Sequence, residues 1–353
     1  MGAGGRRWFV LGDPQAPHDR VRAALARAGL LTHDLRLRDD VGLVSLGDHF
    51  DFAGDPDDGA RTLAWLASHP PSQCVILAGN HDLARVMDLA RVTDEDFAAA
   101  GAASSQALAP QDFARRFPHV PTAALAARDY HHFSVAQRAQ VSSLLRAGRV
   151  VLAATATLRD GGEALLTHAG VTTRELGLLG VRAGPREIAG ALNEALWRAV
   201  ARWREGDALD LGVLHVAGAA GEEGGGMLYH RPAFPDGADP DAWRADRPRR
   251  FDPRTLPHGV TQVCGHTGHA KCRALLGPWV AEDARAVRSG GARTLSVRGT
   301  DVRYAMGLRA RAGDDATLYL LDGDLPRCDD DPPLLEVTDV AVSPARAGVG
   351  RAP

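Results

Sequence analysis

Five short apolar runs in this chain each give way, within a residue or two, to a polar group able to ligate a cation. Residues 8–11 are followed by Gly12-Asp13-Pro14-Gln15, residues 41–46 by Gly47-Asp48-His49-Phe50-Asp51, and residues 74–77 by Gly79-Asn80-His81-Asp82. Residues 164–167 lead into His168-Ala169-Gly170, and residues 260–264 into Gly265-His266-Thr267-Gly268-His269. Such runs read as buried strands, and ligands delivered from the carboxyl ends of strands converge in one crevice of an α/β sheet. Glycine precedes the ligand at four of the five sites, which suits a chain that leaves a strand sharply while its backbone approaches a bound group closely. A single Gly-Asp at a strand end is a common turn; five in order are not a chance pattern.

The segments between these runs supply the rest of an α/β fold. Val21, Leu25 and Ala28 recur at helical spacing with Gly29 as a stop, and a second helix is expected over residues 59–68, ended by Pro70-Pro71. Residues 83–149 are rich in alanine and predict an inserted helical region. Residues 150–158, the turn Asp160-Gly161-Gly162 and residues 164–167 predict a hairpin. Ile188, Leu192, Leu196, Val200 and Trp203 predict a helix opening near Pro185. Residues 212–257, dense in Gly, Pro, Arg and Asp, predict long loops around a site, and residues 294–297, 302–306 and 317–321 predict later strands. We expect one domain over residues 1–329 and a loose tail over residues 330–353.

A chain of 353 residues with 45% hydrophobic content can bury one sizeable core or two modest ones. Forty-one basic against 44 acidic side chains give a net charge of -3, which removes the cationic field that non-specific nucleic-acid binding needs. No nucleic-acid partner is expected. Cys74, Cys264, Cys272 and Cys328 lie far apart without a CxxC pair, so neither a disulfide framework nor a zinc ribbon is suggested, and a reducing cytoplasm is the natural setting. The apolar run after Arg6-Arg7 is too short for a signal-peptide core or a membrane span, so no targeting segment and no membrane partner are expected.

On these motifs the chain resembles the calcineurin-like metallophosphoesterase superfamily, within it the bacterial phosphoprotein-phosphatase-like branch that includes the symmetrical diadenosine tetraphosphatases. The family order GDxH, GDxxDRG, GNHE or GNHD, HGG or HAG, and GHT stands here as GDPQ, GDHFDFAG, GNHD, THAG and GHTG, across residues 8–322. The resemblance implies a four-layer α/β fold, a two-sheet β-sandwich flanked by helices, with ligands on loops at one edge. It implies two divalent cations, manganese first, with magnesium, iron, zinc or nickel as alternatives. Asp13, Gln15 and Asp48 would hold one; Asp48, Asn80, His168 and His266 would hold the other. Two dications a few ångströms apart need an anionic bridge to screen their repulsion, the role given to Asp48. By the same resemblance His81 assists leaving-group departure, oriented by Asp51, while Asn80 and Arg231 face the substrate; Arg231 lies in a Leu228-Tyr229-His230-Arg231 segment similar to the Leu-Trp-Tyr-Arg of related phosphatases.

Three positions depart from the family. Gln15 stands where histidine is usual; a neutral amide oxygen is a harder, weaker ligand, which favours manganese or magnesium over zinc. Phe52 replaces the arginine after Asp51, removing one phosphate clamp. His269 falls three positions after His266 rather than two, so it either extends the ligand set across a longer loop or stays outside it. Arg85 reads as helix surface, His49, His131 and His132 as polar loop residues or supports for a ligand, and Met87 and the six tryptophans as core. The expected activity is hydrolysis of a phosphate ester of a protein or small metabolite. Cleavage of a dinucleoside polyphosphate is the alternative within the class, and a silent metal-binding scaffold the alternative outside it.

Overall fold

The computed structural model describes residues 6–50, 55–106, 108–128, 133–218, 221–235, 239–288, 290–325 and 332–343. In chain order the first elements are β1 (Arg7–Leu11), α1 (His18–Arg27), β2 (Val41–Ser45), α2 (Asp58–Ala67), β3 (Cys74–Leu77) and the short α3 (Asn80–Ala84). The alanine-rich stretch forms α4 (Asp94–Ser104), α5 (Pro110–Arg116), α6 (Ala123–Arg128) and α7 (Val135–Arg146). Then come β4 (Val150–Val151), β5 (Ala153–Thr157), β6 (Glu163–Thr167), α8 (Thr173–Leu179) and α9 (Pro185–Arg202). After the 212–257 loops follow β7 (Thr261–Cys264), α10 (His269–Leu276), α11 (Glu282–Ala286), β8 (Arg293–Arg298), β9 (Asp301–Met306), β10 (Ala316–Leu320), β11 (Leu334–Val337) and β12 (Asp339–Ala341). Helix starts follow local chemistry. Thr93 with Asp96, Ser134 with Gln137 and Thr172 with Glu175 form reciprocal caps, and Pro185 opens α9.

The strands form two large sheets. One has the order β11-β1-β2-β3-β4, parallel except for β11; the other has the order β9-β8-β10-β7-β6-β5-β12, with β10, β7 and β6 mutually parallel. Alternation along each strand decides which layer it meets. Trp8, Val10, Val44, Val75 and Leu77 join Leu166, Val263 and Tyr319 in the core between the sheets. The intervening Phe9, Leu11, Leu43 and Ile76 pack under helices with Leu25, Leu63 and Leu66. On the far side Cys264, Leu318 and Leu320 pack with Cys272 and Leu276 of α10. The chain is thus a mixed α/β structure in which two sheets face each other and helices cover their outer faces.

Two sequence expectations need correction. Residues 150–158 are not one strand of a hairpin: the run breaks at Leu152, with β4 pairing β3 in the first sheet and β5 pairing β6 in the second. Asn193, fully buried on α9, makes this crossing possible. Its side-chain oxygen accepts the Leu152 and Ala153 N–H groups at 2.9 and 3.0 Å, and its amide nitrogen donates to the Ala153 carbonyl at 2.8 Å. Nor is the whole C-terminal segment a loose tail. β11 pairs antiparallel with β1, and β12 pairs antiparallel with β5. An open strand edge supplies backbone partners whatever the composition, and Val337 adds an apolar anchor at 1% exposure. No helix among the described residues is long and apolar enough to cross a membrane.

Asn193→Leu keeps the volume and strands three backbone groups, each worth about 1–3 kcal/mol when left buried without a partner. Urea unfolding of this variant is expected to show a loss of about 3 kcal/mol or more.

Candidate metal centre

The five expected ligand-bearing loops emerge at one edge of the paired sheets, where a cavity of about 410 Å³ is lined by Asp13, Gln15, Asp48, Asn80, His81 and His266 together with Arg231. Close packing of the loops explains their glycines. A Cβ on Gly79 would lie 2.0 Å from Asp48 Oδ1, and one on Gly265 would lie 1.9 Å from Asp13 Oδ1. Each glycine therefore makes room for the carboxylate of a neighbouring loop. Asp48 and His266 are themselves held in the left-handed region, at φ 54° and 63°. Of the four non-glycine residues with positive φ among the described residues, three (Asp48, His266 and Asp324) line this cavity, the kind of clustering expected where surroundings enforce a strained backbone for function.

Asp82 fixes the two central loops to one another. Its carboxylate accepts N–H groups from Gly79 (2.8 Å), Asp48 (3.0 Å) and His49 (3.0 Å), and pairs with His49 Nδ1 at 3.0 Å. Burial alone would raise its pKa; the His49 ring and these donors outweigh it and hold Asp82 below the usual carboxylate range. His49 completes the link through Ser45 Oγ at 2.9 Å. Asp48 Oδ1 in turn accepts the His81 N–H at 2.8 Å, which turns Oδ2 toward the centre.

At that centre His168 Nε2 lies 3.3 Å from Asp48 Oδ2, 3.0 Å from Asn80 Oδ1 and 3.1 Å from His266 Nδ1. The protons of both rings are committed elsewhere. His168 Nδ1 donates to the Leu46 carbonyl at 2.9 Å and His266 Nε2 to the Tyr229 carbonyl at 3.0 Å, and a carbonyl can only accept, so the tautomers are set. Asp48 Oδ2, Asn80 Oδ1 and His266 Nδ1 thus gather about 3 Å from His168 Nε2, and the ligand atoms of Asp48, His168 and His266 all lie within 4.8 Å of one another. Asp48, His168 and His266 are the one such buried group among the described residues. The donor set fits a divalent cation. Without one, burial pulls the His168 pKa down, but the Asp48 charge and hydrogen bond outweigh it and raise it to about 9. Burial, then the Arg231 guanidinium, holds His266 well below its ordinary value.

Asp13 reaches the same cavity, both its oxygens 2.9 Å from the His266 backbone N–H. Gln15 donates its amide nitrogen to the Phe50 carbonyl at 3.2 Å, leaving its oxygen as the group available to a cation. His81 Nε2 stands 4.0 Å from Asp48 Oδ2. Asp51, Phe52, His131 and His132 lie outside the described residues.

His269 is not brought to the centre. Its Nδ1 pairs with the Tyr304 hydroxyl at 2.7 Å and its Nε2 with the Val287 carbonyl at 3.1 Å, because the extra residue places it in the first turn of α10. Arg85, expected on a helix surface, is buried at 1% exposure; it donates to the His81 carbonyl at 2.6 Å and to Gln137 at 3.0 Å, and stacks 3.9 Å from the Phe50 ring centroid. Asp322 also lines the cavity and escapes the sequence reading, although its signal is the same as the others: an apolar strand, β10, ending in Asp322-Gly323-Asp324. Glu223 and Arg249, from the 212–257 loops expected around a site, and Lys271 of α10 line the cavity too. No protein-family model matches the chain, and no curated protein matches it significantly.

Behind Tyr229, the buried Asp88 accepts the Gly218 N–H at 2.6 Å and lies 3.4 Å from the Tyr229 hydroxyl. Burial pushes its carboxyl up to about 7. A carboxyl whose pKa is higher folded than unfolded binds its proton more tightly in the folded state, so stability falls as pH rises from about 4 to about 7 and is level above that. Asp88→Asn removes the ionisation with little change in shape. Thermal unfolding is expected to show a raised Tm at pH 8 and little difference at pH 4.5.

Proposed function

We propose that this protein is a phosphoesterase of the calcineurin-like metallophosphoesterase type, dependent on two divalent cations and hydrolysing a phosphate ester. The observation that carries the reading is the convergence of Asp48, Asn80, His168 and His266 with their ring protons turned outward. Asp13, Gln15 and Asp48 would hold the second cation. Bound cations would supply Lewis-acid activation of water and neutralise the phosphoryl oxygens.

The chain's own residues do the remaining work. Asp48, gripped at its backbone by Asp82 and at Oδ1 by the His81 N–H, presents Oδ2 at a fixed position, so no reorganisation is needed when charge develops. Arg231 lines the same cavity and can take two phosphoryl oxygens with its fork of N–H donors. His81, within 4.0 Å of Asp48 and open to the cavity, donates a proton to the leaving oxygen. Asn80 faces the same volume and turns its amide oxygen to the centre. The loops around the mouth bring Arg249 and Lys271 beside Arg231, which suits an anionic substrate and leaves its organic part open.

Hydrolysis of an aryl phosphate with added manganese, followed by colour release, tests the reading. Asp48→Asn is expected to lose both bound manganese and turnover. His81→Ala is expected to keep its manganese and lose about 100-fold or more in kcat, the usual contribution of a positioned proton donor. Stable manganese binding with no turnover on monoesters, diesters, phosphopeptides or dinucleoside polyphosphates would overturn it.

A further inference from the structure

We infer that Asp322 is a ligand of the cation held by Asp13 and Gln15, giving that position an all-oxygen donor set beside a nitrogen-rich one. The inference rests on the two-cation reading above and adds a residue that no motif supplies.

β10 runs parallel to β7, so the chain leaves both strands at the same edge, β7 to deliver His266 and β10 to deliver Asp322. Gly12 ties this end to Asp13. A Cβ there would lie 2.2 Å from the Leu321 carbonyl oxygen and 2.9 Å from the Asp322 nitrogen, so the two backbones are in contact. Asp322 Oδ1 accepts the Asp324 N–H at 2.9 Å, which fixes the side chain in a turn, and Oδ2 approaches Gly268 within 3.3 Å of where its Cβ would be. Asp13, Gln15, Asp48 and Asp322 line one cavity.

Among the described residues no arginine or lysine forms an ion pair with Asp13, Asp48 or Asp322. Arg293 is the buried guanidinium whose charge reaches Asp322, and its one described hydrogen bond goes to the Thr267 carbonyl at 3.1 Å. Carboxylates crowded in a water-poor floor repel unless a cation lies between them. The buried group of Asp48, His168 and His266, whose ligand atoms converge beside these acids, could hold a cation at this edge. Oxygen from Asp13, Gln15, Asp322 and the shared Asp48 makes a hard set that favours manganese or magnesium, whereas the His168 and His266 nitrogens suit zinc, iron or nickel. The two positions therefore differ in metal preference.

Metal-stripped full-length protein, wild type and Asp322→Asn, titrated with manganese by calorimetry and electron paramagnetic resonance, tests this. Wild type is expected to bind two manganese ions per chain with a spin-coupled signal. The variant is expected to retain one, show an isolated-ion signal, and bind the second more than about tenfold more weakly. Asp322→Cys gives an arm that does not depend on the first variant folding: cadmium should produce a thiolate charge-transfer band absent from wild type. Two manganese ions bound with unchanged affinity in Asp322→Asn, or no such band in Asp322→Cys, overturns the role of Asp322 and leaves the two-cation reading standing. Fewer than two ions on wild type overturns that reading, and this inference with it.

Discussion

The carboxylate of Asp82 collects three backbone N–H groups and one imidazole from two different loops, and the centre is built on that grip. Hydrogen bonds to a charged group contribute about 1.5–3 kcal/mol each, enough together to offset several strained residues. Asp48 in the left-handed region is one of them. Its conformation, one that aspartate adopts more readily than most side chains, aims Oδ1 at the His81 N–H and Oδ2 at His168. The loop after β2 is shaped by a side chain from the loop after β3, which is why the two must be read as a unit.

The same logic runs outward from the centre. Arg85 holds the His81 carbonyl and is itself held by Gln137 and the Phe50 ring. Gln137 donates to the Pro56 carbonyl and caps α7. A helical segment remote in sequence from the ligand-bearing loops thereby carries part of their geometry. Tyr229 plays the matching role on the other side, accepting the His266 ring proton at its carbonyl while its ring stacks on His215 with centroids 4.9 Å apart.

Most of the centre is legible in the sequence because strand ends and their polar groups are local signals. Asp13, Gln15, Asp48, Asn80, His81, Arg231 and His266 line one cavity, and His168 meets Asp48, Asn80 and His266 at its floor. What is not legible depends on contacts between distant segments. Arg85 looks like surface until Gln137 and Phe50 are placed against it. His269 is one residue from a ligand spacing, yet a helix start turns it into the core against Tyr304. The break at Leu152 has no local mark, since the residues on both sides are apolar and the asparagine that satisfies them is 41 positions away. Residues 334–337 offer little beyond three apolar side chains; they become a strand because β1 has an open edge.

That last pairing bears on the order in which the molecule can be completed. β1 is made more than three hundred residues before its second neighbour in the sheet. Contacts so far apart in sequence are slow to form, and an unpaired apolar strand is a place where nascent chains associate wrongly. Until residues 334–337 are made, β1 therefore carries an exposed edge, a vulnerability to off-pathway assembly that the finished structure conceals.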